Sequence, residues 1–443
     1  MKQQADLLIR NSDYLDETFE LAEGKSILIR EGRILAIDRA DLLAQEYTWA
    51  KETDGSGCIY LPGLVDSHMH TGQQLLRGQV LDAMPMIWTR IMLPFESTMT
   101  PEKMDLSAKM AAVEMIHAGT TGFVDAGSYY MEEAASVYER SGLRGALSYS
   151  TMDQKDLPAS IAMDAETALQ KTDELYDAFH GKGNLQVYYS LRSLISCSRD
   201  LILGASERAR GRHTMLQAHM NEYPGEINFH MERFQKRPYE YLEELGVLDE
   251  HFLGAHSLLL SEGELELLAG RQVKVCHCPF SNCGKAAPRT PELLAKGVTV
   301  GLGTDGAAHG GLSLFNEMKI FRSVMNLTRG VALAEPAVMP AKTILSMAFR
   351  GGQACLGGEG PDGRILPGAR ADLIGIDKNR IYLTVYGQIA NTILESVNAG
   401  DVRDSICGGR ILMKDYEIRT LDEDAIYREA VAYRDENAGN PAN

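Results

Sequence analysis

Cysteine is scarce in this chain. Seven cysteines are spread over 443 residues. An odd, scattered set argues against a disulfide framework and favours a reducing compartment, here expected to be the cytoplasm. Cys276, Cys278 and Cys283 form the one cluster, and no second cysteine pair with zinc-ribbon spacing accompanies them. A cysteine-based zinc site is therefore a minor alternative.

Long apolar runs and basic blocks are also lacking. No apolar run approaches the roughly 20 residues that span a bilayer, and the N-terminus lacks the basic-then-apolar pattern of a signal peptide. The chain holds 44 Lys and Arg against 61 Asp and Glu, a net charge of −17, with no basic block. We therefore expect no membrane association and no nucleic-acid partner.

What the chain does contain is β-rich sequence at both ends. Residues 1–62 carry short alternating runs, with a hairpin signal at residues 31–32. Residues 365–443 show the same pattern of short alternating runs, with a turn at residues 408–409 and a helix at the end. Neither end is long enough for a convincing sheet alone. The two ends are therefore predicted to pair into one small composite β-sandwich domain.

Between these ends, residues 63–364 alternate short apolar strands with helix-like segments. The segment 101–117 opens with Thr100 as a cap and Pro101 at its first position, and it ends before Gly119. Such alternation with eight strands predicts an α/β fold, the (β/α)8 TIM barrel. A doubly wound open sheet is the alternative, but no Gly-x-Gly-x-x-Gly follows the first strand. The predicted strands are 64–70, 122–126, 145–150, 185–194, 215–222, 252–259, 273–279 and 299–305.

Residues 61–70, Leu-Pro-Gly-Leu-Val-Asp-Ser-His-Met-His, give the first indication of chemistry. Side chains two apart on a strand point the same way, about 6.6 Å apart along the backbone, so both histidines of this motif can reach one ion. Two histidines alone make a poor zinc site, because zinc takes three or four protein ligands. Active sites of such barrels lie at the C-terminal ends of the strands. Further candidates fall there, namely His219, His256, His277 and Asp305. Each histidine taken singly could be a core residue, but the cluster favours a metal or catalytic site.

Three motifs carry a resemblance to a known family. Residues 62–70, 275–282 (Val-Cys-His-Cys-Pro-Phe-Ser-Asn) and 303–308 (Gly-Thr-Asp-Gly-Ala-Ala) resemble motifs of the amidohydrolase superfamily. Within it they are similar to the branch of S-adenosylhomocysteine/methylthioadenosine deaminases, guanine-type deaminases and triazine hydrolases. The resemblance extends along nearly the whole chain. It implies a hydrolase acting on C–N bonds in cyclic amidines, a small heterocyclic substrate and a homodimer.

The resemblance also implies a metal site. By position, His68, His70, His219 and Asp305 become the ligands of one divalent metal, with Zn2+ as the first choice and Fe2+ as the second. The residue types agree, since imidazole nitrogens with one carboxylate suit zinc and leave a position for water. A second metal in this superfamily usually needs a carboxylated lysine on the fourth strand, and residues 185–194 contain no lysine. We therefore expect a mononuclear site.

Three residues are expected to carry the reaction. A bound metal lowers the pKa of water to about 7, and Asp305 is the candidate base for that water. Glu222 is the candidate shuttle that protonates a ring nitrogen of the substrate. The resemblance makes His256 the residue that orients or polarises the water. Glu222 lies three residues after His219, so the chain must turn after Met220 for both to face the site. The plainer interpretation of Glu222 is a surface carboxylate.

Five residues are candidate substrate contacts: Trp88, Glu96, Arg192, His277 and His309. The resemblance places Glu96 where nucleoside deaminases bind the ribose. Trp88 could instead be helix core, Arg192 could be a salt bridge at the barrel rim, and His277 could only brace the seventh strand. Arg192 stands near the place where nucleoside deaminases carry a histidine, and its guanidinium suits a carboxylate or a ring carbonyl. An anionic or oxo-substituted ring is therefore a competing hypothesis.

Three functions remain open from the sequence. The first is a metal-dependent hydrolytic deaminase of a nitrogen heterocycle such as a purine, nucleoside derivative or pterin. The second keeps the site but displaces a halide or an amine from a triazine-like ring. The third is a non-catalytic barrel that binds a ligand. The joint presence of Glu222, His256 and Asp305 disfavours the third, because binding alone needs no proton shuttle.

Overall fold

The computed structural model describes residues 2–80, 82, 87–335, 337–358, 360–385 and 387–437. Its central part holds eight short parallel strands, numbered here barrel strands 1 to 8. Nearly every strand residue is buried, as expected for parallel strands that are covered on both faces. In order they are Leu64–Met69, Thr120–Asp125, Arg144–Leu147, Leu185–Val187 continued by Tyr189–Leu191, Leu216–Met220, Phe252–His256, Lys274–His277 and Val300–Leu302.

The eight strands close into a barrel. Strands 1–4 and strands 4–8 form two parallel sheets. They meet at Tyr188, whose amide donates to Leu147 at 2.8 Å, while the next amide donates to Met215 at 3.0 Å. At the other seam the Asp305 amide donates to the His68 carbonyl at 2.9 Å. The predicted (β/α)8 barrel and its eight strands are confirmed. The predicted strand ends differ by up to three residues, because apolar sequence continues past the last ladder bond into the loops.

Helices follow the barrel strands. The helix before strand 2 begins and ends as predicted: the Thr100 hydroxyl accepts from the Lys103 amide at 3.3 Å, and Gly119 beyond its end has a φ of +80°. The α-helices of six residues or more are Ala40–Glu46, Pro101–His117, Met131–Ser141, Ala165–Phe179, Arg199–Gly211, Pro224–Phe234, Pro238–Glu244, Glu262–Gly270, Thr290–Ala295, Leu314–Met325, Ala341–Ser346, Ile389–Ser396 and Glu423–Asn437.

Both chain ends pair into one nine-stranded sheet. Cys58–Pro62 lies near its centre, parallel to Gln3–Leu15 and antiparallel to Leu373–Asp377. The hairpins predicted at 31–32 and 408–409 form, with positive φ at all four turn residues, as a turn that matches the strand twist requires. The remaining strands are Leu21–Arg30, Arg33–Asp38, Tyr47–Asp54, Val402–Cys407, Arg410–Lys414 and Glu417–Ile418.

The β domain shares apolar contacts with the barrel. Ile374 of the sheet belongs to the same buried cluster as Leu64 of barrel strand 1. A second cluster joins Ile27 from the N-terminal half of the sheet to Ile406 from the C-terminal half, so the two chain ends have a core in common. The domain boundaries at residues 62 and 364 remain sequence predictions. Among the described residues, no helix has the length and apolarity needed to cross a bilayer.

Candidate active site

Four potential metal ligands meet at the C-terminal ends of the barrel strands. His68 and His70 come from the end of strand 1, His219 from strand 5, and Asp305 from the loop after strand 8. One ligand atom from each lies within 4.8 Å of the other three. Nε2 of His70 is 3.2 Å from Nε2 of His219. Oδ1 of Asp305 is 3.4 Å from Nε2 of His68 and 3.3 Å from Nε2 of His70. The structure brings the four predicted ligands together.

The chemistry of this donor set fits a divalent metal ion. Both ring nitrogens of His68 are buried with no hydrogen-bond partner among the described residues, which is rare unless another group binds them. Burial lowers the pKa of His70 and His219 well below the ordinary value, so both rings are neutral. Burial would raise the pKa of Asp305, but the neighbouring histidines outweigh it and hold that pKa well below its ordinary value. Neutral imidazoles with one carboxylate are zinc-type ligands.

The loop after strand 8 is packed closely against strand 1. A Cβ on Gly303 would lie 2.7 Å from the His68 carbonyl oxygen. The Asp66 carboxylate accepts from Thr304, at 3.0 Å from its amide and 2.6 Å from its hydroxyl. Asp305 has a φ of +60°, a strained conformation that clusters at functional sites. These contacts fix the carboxylate of Asp305 relative to the histidines of strand 1.

The chain turns after strand 5, as the position of Glu222 requires. The strand ends at Met220, and Asn221 follows with a φ of +49°. The Asn221 side chain donates to Glu264 at 2.8 Å, and the Glu222 amide donates to the Glu226 carboxylate at 3.0 Å. These two bonds hold the turn, which places the Glu222 side chain on the same side as the metal donors.

His256 lies beside Glu222 and Asp305. One atom from each of these three groups lies within 4.8 Å of the other two, and Nε2 of His256 is 3.6 Å from Oε1 of Glu222. Nδ1 of His256 donates to the amide oxygen of Asn282 at 3.1 Å, and Nε2 has no hydrogen-bond partner in the described part of the chain. Burial lowers the pKa of His256 to about 4. A neutral imidazole with an available lone pair therefore adjoins the donor set.

The two other predicted histidines contact residues of the site. Nδ1 of His277 donates to the His256 carbonyl at 2.8 Å, which is the bracing role that the sequence left open. Nδ1 of His309 donates to the Asp305 carbonyl at 3.1 Å and lies 3.5 Å from Oδ2 of the same residue. Both histidines are buried. A direct contact of either with the substrate stays a prediction.

Arg192 and Glu96 form a buried ion pair next to the donor set. NH2 of Arg192 is 2.8 Å from Oε1 of Glu96, and NH1 is 2.9 Å from Nδ1 of His70. Gln73 donates to the same Glu96 oxygen at 3.1 Å, whereas Oε2 of Glu96 has no partner among the residues described. The Arg192 charge is thus neutralised within the protein, which weakens the hypothesis of an anionic ring at this position.

A cavity of about 440 Å³ opens beside Glu96. Tyr129 and Tyr149 in its wall meet edge to face, with ring centroids 5.9 Å apart. Trp88 packs against the apolar cluster that contains Tyr129 and Ile161, so it is partly core, as the sequence left open. The cavity therefore offers a ligand aromatic walls together with charged groups, because Glu132, Lys171 and Glu174 line it as well as Glu96.

Lys285 reaches the site although no role was predicted for it. Its Nζ is 2.5 Å from Oε1 of Glu222 and 2.8 Å from Oγ of Ser281. Ser281 in turn donates to Oδ2 of Asp305 at 2.5 Å. A signal was present in the sequence, because Lys285 is the only Lys, Arg, Asp or Glu between residues 275 and 288. A single charge in an otherwise uncharged stretch indicates a specific partner.

The barrel and its site define a class of protein. A (β/α)8 barrel that gathers histidines, an aspartate and a glutamate at its strand ends has the features of a metal-dependent hydrolase. A model of the amidohydrolase family matches residues 59–412. The chain belongs to this family.

Proteins of similar sequence include a 5'-deoxyadenosine deaminase of Methanosarcina mazei, 31% identical over 439 residues, covering 96% of this chain and 97% of that protein. A 5-methylthioadenosine/S-adenosylhomocysteine deaminase of Syntrophobacter fumaroxidans is 32% identical, covering 97% of this chain and 98% of that protein. Among solved structures, a zinc-bound adenosine deaminase from Xanthomonas campestris has a TM-score of 0.91 at 22% identity, covering 98% of this chain and 99% of that chain. The structural likeness supports the fold.

Proposed function

We propose that this protein is a metal-dependent aminohydrolase, which replaces an amino group on a nitrogen heterocycle with oxygen and releases ammonia. One observation carries the proposal: side-chain atoms of Glu222, His256 and Asp305 meet within 4.8 Å of one another, beside the metal donor set. Ligand binding alone would need no such group of proton-transferring side chains. The two sequence relatives favour an adenosine derivative as the substrate class.

The metal in this proposal is a single zinc ion. His68, His70, His219 and Asp305 hold it, because imidazole and carboxylate donors suit zinc, with iron(II) as the second candidate. When bound, such an ion lowers the pKa of water and makes hydroxide available at neutral pH. The described residues of barrel strand 4 include no lysine that could bridge a second ion.

The side chains divide the proton transfers between them. Asp305, ionised in the site, accepts a proton from the attacking water. Glu222, a carboxylate whose pKa is lowered by His256 and Lys285 against the effect of burial, takes the other proton of the water and passes it to a ring nitrogen of the substrate. His256, with Nε2 lying 3.6 Å from the Glu222 carboxylate, orients the water. The water oxygen adds to the ring carbon, the C–N bond breaks, and ammonia leaves with the proton that Asp305 returns.

The environment of Glu96 favours a neutral substrate that carries a hydroxyl group. Arg192 holds one carboxylate oxygen of Glu96 and leaves Oε2 without a partner in the described structure. A ribose hydroxyl is a suitable donor to that oxygen. The cavity lined by Tyr129 and Tyr149 then accommodates an apolar substituent on the sugar. Trp88, His277 and His309 stay predicted substrate contacts.

Three further properties expected from the sequence remain predictions. They are a homodimer, a cytoplasmic location and the lack of a nucleic-acid partner. Size-exclusion chromatography with light scattering tests the first of these directly.

Ammonia release from a panel of heterocycles tests the function. The panel holds adenosine, 5'-deoxyadenosine, methylthioadenosine, guanine, a pterin and a chlorotriazine, and zinc content is measured on the same protein. We expect ammonia from at least one adenosine derivative. Chloride release from the triazine without ammonia from any ring would favour the second function. Zinc-loaded protein with no turnover on any ring would contradict both.

Two substitutions separate metal binding from proton transfer. Glu222→Gln should keep stoichiometric zinc but lose about 100-fold or more in kcat, since the amide cannot carry a proton. His219→Ala should lose zinc, because it removes one of four ligands. Glu232→Gln on the exposed face of the next helix is the matched control and should change neither. A near-wild-type rate for Glu222→Gln would show that the shuttle is another residue.

A further inference from the structure

Lys285 is a buried lysine that the proposed chemistry does not yet use. Its side chain is 3% exposed, although lysine is rarely buried without a partner. Nζ donates to Oε1 of Glu222 at 2.5 Å and to Oγ of Ser281 at 2.8 Å. It also lies 5.1 Å above the ring of Tyr223. Two hydrogen bonds and one aromatic face therefore surround the ammonium group.

The contacts of Lys285 link the two carboxylates of the site. Ser281 accepts from Lys285 and donates to Oδ2 of Asp305 at 2.5 Å. A continuous path therefore runs from Oε1 of Glu222 through Nζ and the serine hydroxyl to Asp305. Oδ1 of Asp305 faces the histidines of strand 1. One oxygen of this carboxylate therefore contacts the metal donors, and the other accepts from Ser281.

Lys285 contacts the oxygen of Glu222 that also faces the reaction centre. The same Oε1 lies 3.6 Å from Nε2 of His256. Glu222 extends from the turn after strand 5, whereas Lys285 follows the short helix Pro279–Asn282 after strand 7. A carboxylate at a turn is free to rotate unless another element holds it, and two nearby carboxylates repel each other without a cation between them.

A purely structural salt bridge is the plainer interpretation of this pair. Such a bridge would tie two loops together and would affect folding only. The geometry of the pair argues for more, because the bond ends on the atom that the proposed mechanism uses, and the serine extends it to a metal ligand. Burial would lower the pKa of Lys285, but Glu222 and Asp305 outweigh burial and raise it, so the cation is permanent.

We propose that Lys285 is a positioning residue, which with Ser281 holds the Glu222 carboxylate at the distance from Asp305 that proton transfer requires. The inference rests on the proposed aminohydrolase function and deepens it. Lys285 acts through Glu222 and does not touch the reacting atoms itself. Its removal should therefore lower kcat much more than it changes KM.

A double-mutant cycle with Lys285→Met and Glu222→Gln tests the inference, because a residue that acts through another loses its effect when that partner is gone. The rates are measured with the best substrate of the panel. Lys285→Met alone should lower kcat about 100-fold, within the usual range for general acid–base catalysis, with KM within about threefold. Added to Glu222→Gln, it should lower kcat by less than about threefold. Lys285→Arg, which keeps the charge, should recover part of the loss.

Two further measurements complete the test. Zinc content and melting temperature are measured for every variant, so that a misfolded protein is recognised, and in that case Lys285→Gln replaces the methionine variant. Lys296→Met is the matched control, because Lys296 pairs with Glu266 at 2.5 Å on the surface, and it should leave kcat unchanged. Additive losses in the cycle would overturn the inference while leaving the function intact. A wild-type protein that turns over no ring would overturn the proposed function and the inference with it.

Discussion

Glu226 shows how the interior of this protein sets the charge of a single residue. Its carboxylate accepts from the Glu222 amide at 3.0 Å, and its other oxygen has no partner among the described residues. Burial raises the pKa of Glu226 from the ordinary 4.5 to about 8, against the lowering effect of the bound amides. The group is therefore protonated in the folded state at neutral pH.

This protonation makes stability depend on pH. Between the two pKa values the folded state holds a proton that the unfolded state releases, so the free energy of unfolding falls as pH rises, by about 1 kcal/mol per pH unit from this group. The glutamine of Glu226→Gln stays neutral at every pH, so this variant should lack the pH dependence of the free energy of unfolding that Glu226 causes. We expect its melting temperature to match that of the wild type near about pH 5 and to exceed it near about pH 8. Thermal unfolding of both proteins across this range is the measurement, and parallel curves would contradict the assignment.

Individual residues can be placed from the sequence where their placement depends on local geometry. His68 and His70 stand two apart on a strand, so their shared direction follows from strand geometry alone. Lys285 had no predicted role, because its partner Glu222 is 63 positions away in the chain. The partner of Arg192 could not be predicted either, because Glu96 is 96 positions away in the chain. An ion pair is decided by which loops meet, and spacing within one segment does not reveal that.

At the scale of elements, the seam between strand 8 and strand 1 holds the site in place. Gly303 lies so close to strand 1 that a Cβ would be 2.7 Å from the carbonyl oxygen and 2.8 Å from the amide of His68. Backbone atoms of a barrel strand cannot give way as a flexible side chain can. The absence of a side chain at this position therefore sets the distance between Asp305 and the histidines.

Gly303→Ala tests this close approach. The added methyl group should push the seam apart, destabilise the protein by about 1–3 kcal/mol and weaken zinc binding by about 10-fold or more. Zinc affinity is measured by competition with a chelator, and stability by thermal unfolding. Gly270→Ala at a helix end is the control, since a Cβ there meets no described atom within 4 Å. Unchanged zinc affinity in Gly303→Ala would show that the seam tolerates the shift.

At the scale of the whole molecule, the barrel and the β domain share one apolar cluster. Ile374 of the nine-stranded sheet is fully buried. It shares an apolar cluster with barrel residues such as Leu64 and Phe123. Gly119, at the start of strand 2, comes so close to Ile374 that a Cβ would lie 2.9 Å from its side chain. Separate unfolding of the β domain would expose this shared surface, so we expect a single cooperative transition.

Ile374→Ala should lower the free energy of unfolding by about 2–5 kcal/mol, the usual cost of a buried cavity. The whole calorimetric transition should move to lower temperature as one peak. Ile381→Ala serves as the comparison, because Ile381 is 83% exposed, and its effect should stay within about 0.5 kcal/mol. Two resolved peaks, of which only one moves, would show that the domains unfold independently.

The sequence by itself determined the barrel and the hairpins at both chain ends, and its resemblance to a known family indicated the four candidate metal ligands that the structure brings together. Hydrophobic periodicity, turn residues and the two-residue spacing of His68 and His70 are local properties, and they act within a few residues along the chain. The turn after Met220 also followed from the sequence, because His219 and Glu222 could not otherwise face the same site.

Only the tertiary structure decided which charges meet. It joined Glu222 to Lys285, neutralised Arg192 with Glu96, and placed both chain ends in one sheet through the pairing of Cys58–Pro62 with Leu373–Asp377. Each of these contacts joins segments that lie far apart along the chain. They are fixed by the closure of the barrel and by burial, which makes an unpaired charge too costly to keep.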